Sequence, residues 1–129
     1  MSHTVVHFEI PAEDPEKISS FYSDLFGWKI EKGQGPTEYW LVRTFAEGQQ
    51  GVNGGIFRKD SPQLQPVNYI GVESVEEYSK RAEAVGGKVV FAKSPVPQQG
   101  WFAQLLDPEG NLFALWEDYP SAPMPERPL

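Results

Sequence analysis

The sequence predicts an α+β fold built from two tandem βαβββ units, and three observations carry that prediction. First, the stretch VVHFEIPAEDPEKISSFYSDLFGWKI, Val5 to Ile30, has a second version further on, VESVEEYSKRAEAVGGKVV. Laid over one another, Asp14 meets Ser74, Glu16 meets Glu76, Gly27 meets Gly87 and Ile30 meets Val90. What repeats is an order of events: short strand, cap, amphipathic helix, glycine stop, second strand. Second, each copy is followed by alternating segments joined by turn sequences, EGQQG in the first and DPEGN in the second. Third, KDSPQLQP, with two prolines and no periodicity, falls where the copies should join. The expected layout is one domain over 1–129, with a first unit over 4–59, a linker over 60–66, a second unit over 67–118 and a loosely held proline-rich tail over 119–129.

Composition excludes several classes of function. At 129 residues the chain buries roughly two-thirds of its unfolded surface and needs no staple to hold a core. It has no cysteine, which removes disulfides, thiolate ligands and thiol nucleophiles. A formal charge of -7 with scattered Lys and Arg argues against nucleic acid and anionic membrane surfaces as partners. No basic patch precedes an apolar run at the amino terminus, and no long apolar span follows, so a soluble cytoplasmic protein is expected.

Along the chain, Val6, Phe8 and Ile10 alternate with Val5, His7 and Glu9 in the first strand. Asp14 before Pro15 starts a helix, whose Ile18, Phe21, Tyr22 and Leu25 form the stripe expected to face the core, and Gly27 stops it. Trp28 to Glu31 is a strand. Tyr39 to Phe45 and the segment after EGQQG form a hairpin. The returning strand carries Gly54 and Gly55, which mark either room for a ligand or close packing at the join of the two halves. In the second copy, Ser74 and Glu77 make a capping box, Val75, Tyr78, Ala82 and Val85 the inward stripe, and Gly86 with Gly87 the stop. Lys88 to Phe91 is a strand, SPVPQQG a proline-stiffened loop, and WFAQLL with LFALWE a last hairpin around DPEGN. His3, close to the terminus, is expected to be loose.

With FY at Phe21 and Tyr22, LFGW, His7 followed seven residues later by Asp14, and LLDPEGNLFALWE, residues 4 to 118 resemble the vicinal oxygen chelate superfamily. That group contains glyoxalase I, extradiol dioxygenases and bleomycin-binding proteins. The resemblance implies a curved, half-open mixed sheet with the helices outside, homodimers, and a small organic molecule as partner. It also implies one divalent metal, Zn, Ni, Mn or Fe, held by imidazole and carboxylate and gripping adjacent substrate oxygens. His7 matches the first-strand histidine position, and Glu117 is placed at the last-strand carboxylate. The second unit opens on Val67, which ligates nothing, and Asn53 to Lys59 holds no carboxylate. Two ligands fall short of the three protein ligands that a catalytic site commonly uses. Glu9 is two residues from His7 on the same strand face, roughly 6.5 Å away, a distance that suits a supporting partner.

The expected pocket is lined by Glu9, Val67, Tyr69, Phe113 and Leu115, with Trp101 or Gln104 at its mouth, since alternation does not decide between those two. Three readings follow. The first is a glyoxalase-like protein with an incomplete metal centre that binds, and acts as a lyase or isomerase on, small oxygenated or aromatic compounds. The second is a metal-dependent lyase or dioxygenase with a completed His/Glu site. The third is a non-catalytic binder of drugs or metabolites.

Overall fold

A computed structural model describes residues 3–35, 37–59 and 65–123. The elements run β1 (Val5–Ala12), α1 (Pro15–Phe26), β2 (Lys29–Lys32), β3 (Tyr39–Arg43), β4 (Gly54–Arg58), β5 (Val67–Gly71), α2 (Val75–Ala84), β6 (Lys88–Val96), β7 (Gly100–Leu106) and β8 (Leu112–Asp118). The βαβββ order therefore occurs twice. Two compact units emerge, residues 7–67 and residues 68–129 with 1–6. Most of the expected linker, residues 60–64, lies outside the described residues. Among the described residues no helix is long and apolar enough to cross a membrane.

The two units share one topology. In the first, the strand order is β2-β3-β4-β1, with β1 parallel to β4 and the other pairs antiparallel. In the second it is β5-β8-β7-β6, with β5 parallel to β8. A parallel pair cannot be closed by a tight turn, so each unit needs its helix and hairpin between first and last strand. Both helices start as the sequence predicts. Asp14 accepts from the Lys17 amide at 3.1 Å, and Ser74 Oγ accepts from the Glu77 amide at 3.1 Å. Gly27 closes α1 with φ 75°, donating to Ser23 O, and Gly86 follows α2 with φ 101°.

Each helix covers one face of its sheet. In the first unit Ala12, Trp40, Val42 and Ile56 are buried, with Phe8, Ile10, Ile18, Trp28 and Ile30 packed against them. In the second, Val72, Val75, Ala103, Leu105 and Leu115 form the buried cluster, joined by Tyr78 and Ala82 from α2. The helical stripes need correction. Ile18 faces the core and Tyr22 stacks on Trp28 at 5.0 Å, but Phe21 and Leu25 are 55% and 58% exposed, and Phe26 is 60% exposed. The inward line of α1 is Ile18 with Tyr22, and the neighbouring line points to solvent. Val85 is 79% exposed because α2 ends at Ala84, one residue before it.

Three loop expectations also change. The segment SPV belongs to β6, which runs to Val96 with register shifts after Val89 and Phe91. Pro95 is tolerated there because β6 is the outermost strand of its sheet, where a missing N–H need break no ladder bond. The tail is pinned as far as Ala122: Gln98 N donates to Ala122 O at 3.0 Å, Tyr119 N to Gln99 O at 2.9 Å, and Ala122 is buried. Residues 124–129 of that tail lie outside the described residues. His3 is not loose, since its ring meets Tyr78 edge-on at 5.0 Å.

Gly54 and Gly55 serve the first unit itself. A Cβ on Gly54 would run into the Phe8 ring, and one on Gly55 into the Tyr39 ring. The two glycines thus seat aromatic rings on opposite faces of β4. Gly55→Ala forces Tyr39 off the strand and is expected to lower unfolding stability by about 1–3 kcal/mol. A denaturant midpoint equal to that of the wild type would contradict this packing.

Candidate functional site

In the first unit, strand alternation sets which side chains escape the core. Phe8 and Ile10 pack beneath α1, so His7 and Glu9 stand on the opposite, open face of β1. Trp40 and Val42 likewise leave Tyr39 and Leu41 on that open face of β3. Tyr39 lies across Gly55, which separates β3 from β1 in the sheet, and its hydroxyl reaches His7. His7 Nε2 and Tyr39 Oη are 2.7 Å apart, with the two rings nearly parallel at 13°. The neutral ring donates to the hydroxyl in one tautomer and accepts its proton in the other. Burial holds the His7 pKa below its ordinary 6.5, with the Glu9 charge acting in the opposite direction. His7 is therefore neutral at pH 7, a polar, uncharged group beside the Glu9 carboxylate and the Tyr39 hydroxyl.

The second unit has the opposite bias. On β7, Ala103 and Leu105 are buried under α2 and Trp101 packs with them, so Phe102 and Gln104 face away from the helix. On β5, Ile70 packs with the α2 cluster, placing Val67 and Tyr69 on the face away from α2, where both are buried. Three rings meet there: Tyr69 lies 6.5 Å from Phe102, and Phe91 stacks on Phe102 at 5.4 Å and 14°. Gln104 stands opposite Phe91 in the β6–β7 register, and Trp116 stands opposite Phe102 in the β7–β8 register. Trp116 lies over Gly100, and its indole N–H donates to Asp118 at 2.7 Å. The open face is an aromatic surface with one amide and a tethered indole.

Several expected pocket residues lie elsewhere. Phe113 and Leu115 pack in the α2 cluster, as does Trp101, so the open choice at the mouth falls to Gln104. Glu117 shares their parity. Its Oε1 accepts from the Val75 amide, the first of α2, at 2.9 Å. The expected pocket put Phe113, Leu115 and Glu117 on the cavity side of β8, whereas all three lie on the side that meets α2. Tyr69 and Gln104 do share the open face, joined by Phe91, Phe102 and Trp116, which the sequence reading passed over. Tyr39 was also missed, because its link to His7 runs across a glycine on another strand and leaves no spacing signal.

A divalent ion does not fit this donor set. The Glu117 carboxylate caps a helix, His7 Nε2 is engaged with Tyr39, and among the described residues no group of three His, Cys, Asp or Glu side chains converges.

A duplicated βαβββ frame with an open sheet face in each unit defines a class of small domains whose chemistry is set by the side chains on those faces. The family model described as Glyoxalase/Bleomycin resistance protein/Dioxygenase superfamily matches residues 4–115, and the chain belongs to that superfamily. It is 32% identical over 115 residues to a glyoxylase-like domain-containing protein of Didymella fabae, covering 83% of this chain and 88% of the relative. It is 24% identical over 123 residues to the anthracycline biosynthesis protein DnrV of Streptomyces peucetius, covering 84% of this chain but 45% of that protein. The chain thus spans about half the length of that curated relative. Among solved structures, a hypothetical protein of Bacillus halodurans C-125 superposes with a TM-score of 0.71 at 17% identity, covering 96% of this chain and all of that one. At that identity the likeness speaks for the fold alone.

The His7 environment has a consequence for stability. The unfolded chain takes up a proton near the ordinary imidazole value, while folded His7 resists it, so the unfolded state binds more protons as pH falls. Stability from this group is complete above the ordinary value and is lost as pH drops from there through the lowered one. The thermal midpoint is expected to fall between about pH 7.5 and 5.5, and His7→Gln should flatten that fall. Equal slopes in both proteins would remove His7 as the cause.

Proposed function

We propose that this protein binds a small, flat organic molecule on its open sheet faces without a resident metal ion. One observation carries the reading: the carboxylate expected to ligate a metal accepts from the Val75 amide, the first of α2, at 2.9 Å, beside the Ser74 cap. A capping carboxylate meets the positive end of the helix, where it contributes stability. In the second unit the stacked Phe91–Phe102 pair supports a flat, apolar ligand body, and Gln104, opposite Phe91 in the register, supports a polar end bearing carbonyl or hydroxyl oxygens. The name of the Streptomyces peucetius relative points the same way, since anthracyclines are fused-ring aromatic compounds. A metal-dependent lyase or dioxygenase draws no support from the donor arrangement. Metal-free lyase or isomerase turnover and plain sequestration differ in product, not in this geometry.

Elemental analysis of protein purified without chelator is expected to find no stoichiometric metal that His7→Ala removes. An anthraquinone titration followed by tryptophan fluorescence should saturate in the wild type and weaken about tenfold in Phe102→Ala, as loss of one stacking ring costs roughly 1 kcal/mol or more. Mass spectrometry of the mixture then separates turnover from sequestration. One equivalent of metal lost in His7→Ala, or no saturable binding, would overturn the proposal.

Homodimers in the cytoplasm complete the reading. The exposed line of Phe21, Leu25 and Phe26 on α1 supports self-association, since an apolar ridge of this kind is uncommon on a monomer. Phe21→Asp with Leu25→Asp should convert the protein to a monomer by sedimentation velocity without changing its circular dichroism; an unaltered sedimentation coefficient would reject this contact.

A further inference from the structure

A cleft of about 400 Å³ lies in the first unit, lined by residues from the end of β3, the loop after it and the turn after α1. Lys29, Arg43, Thr44, Phe45 and Glu47 line it, with Gly27 at its base. Its charge is unusual for this chain. Lys29 and Arg43 are direct register partners across β2 and β3, and like charges placed opposite each other are destabilising. With a formal net charge of -7, the sequence is not short of carboxylates to put in either place. Other cations of the same sheet are neutralised: Lys32 and Arg58 both reach Glu38, at 3.8 and 3.2 Å. Among the described residues neither Lys29 nor Arg43 forms an ion pair, and Glu47 is the one carboxylate in the lining.

The cleft wall is held in shape. Thr44 N donates to Asn53 Oδ1 at 2.9 Å and Thr44 Oγ1 to Val52 O at 2.5 Å. Ala46 N donates to Gln49 Oε1 at 3.1 Å, and Gln49 N returns to Ala46 O at 3.0 Å. Gly51 carries no side chain, and the Phe45 ring occupies the space a Cβ would need. The polar side chains of this loop are thus spent on its own backbone. The neighbouring end of α1 is capped as well, by Gly27 N to Ser23 O at 2.9 Å, so Lys29 is not required to satisfy that carbonyl.

We propose that this cleft binds a small organic oxyanion, a carboxylate or phosphate monoester carrying a ring. Arg43 and Lys29 hold the anionic group, and Phe45 packs against the ring. A guanidinium beside an ammonium recognises an oxyanion through charge-assisted hydrogen bonds, and the volume admits a single-ring molecule. Because the cleft is built from other residues, the proposal stands or falls independently of the aromatic face.

The test is calorimetric titration of the full chain with benzoate, phenyl phosphate and inorganic phosphate at fixed ionic strength, repeated on Lys29→Gln/Arg43→Gln. Both positions are exposed and the change removes a like-charge pair, so the double variant should keep or slightly raise the wild-type thermal midpoint. Saturable binding of benzoate or phenyl phosphate is expected, about tenfold or more weaker in the double variant, and the tighter of the two identifies the anionic group. Phe45→Ala should weaken the ring-bearing probe while leaving inorganic phosphate unchanged. Failure of both ring-bearing probes to saturate, or equal affinity in the double variant, would overturn the assignment.

Discussion

Parallel pairing of the first and last strands is the constraint from which the rest of each unit follows. It places the carboxyl ends of those two strands side by side, and the helix begins just beyond one of them. Whatever side chain ends the last strand on the helical face therefore meets the first turn of that helix. In the second unit the residue is Glu117, and it accepts from the Val75 amide. In the first unit Arg58 ends β4 opposite Ala12, donates to Glu13 O at 3.1 Å, and feels the charges of Asp14 and Glu16. That cation is paired with Glu38, just before β3, and the acidic residues at the helix start add to the balance. The two copies thus solve the same junction with opposite signs of charge.

That junction explains how a chain can keep the frame of the superfamily while the residues expected to hold metal take structural work. A carboxylate capping a helix is worth more to folding than one left in water, since it satisfies an amide that would otherwise lack a partner. His7 is placed differently. It stands on the face of β1 away from α1, half-buried and desolvated enough to stay neutral, and its Nε2 is engaged by a tyrosine lying over a glycine. Neither arrangement gathers donors around one point. What the open faces offer instead is ring surface and a few uncharged polar groups.

The architecture was legible because its signals are local. Asp14 before Pro15, Ser74 with Glu77, and Gly27 are each read within one turn of helix, and the structure bears out all three. The faces of β1 were legible, since its polar residues marked the side away from the helix, but those of β8 were not, because alternation there gives two sets of residues without saying which meets the helix. On β8 the expected placement of Phe113, Leu115 and Glu117 was reversed, and all three meet α2. On α1 the large residues suggested a broad inward stripe, yet a two-residue line, Ile18 and Tyr22, meets the sheet. Tyr39 with His7, and Phe91 with Phe102, depend on pairing between distant strands, which no spacing in the chain announces.

The outer strand of the second unit has a further meaning. β6 carries Pro95 and two breaks in register, so its free rim offers an interrupted row of donors and acceptors. Another chain attempting to extend the sheet there would find no continuous ladder to copy. A sheet with aromatic rings on one face is exposed to fibrillar stacking, and this irregular border guards against it on the side where Phe91 and Phe102 lie.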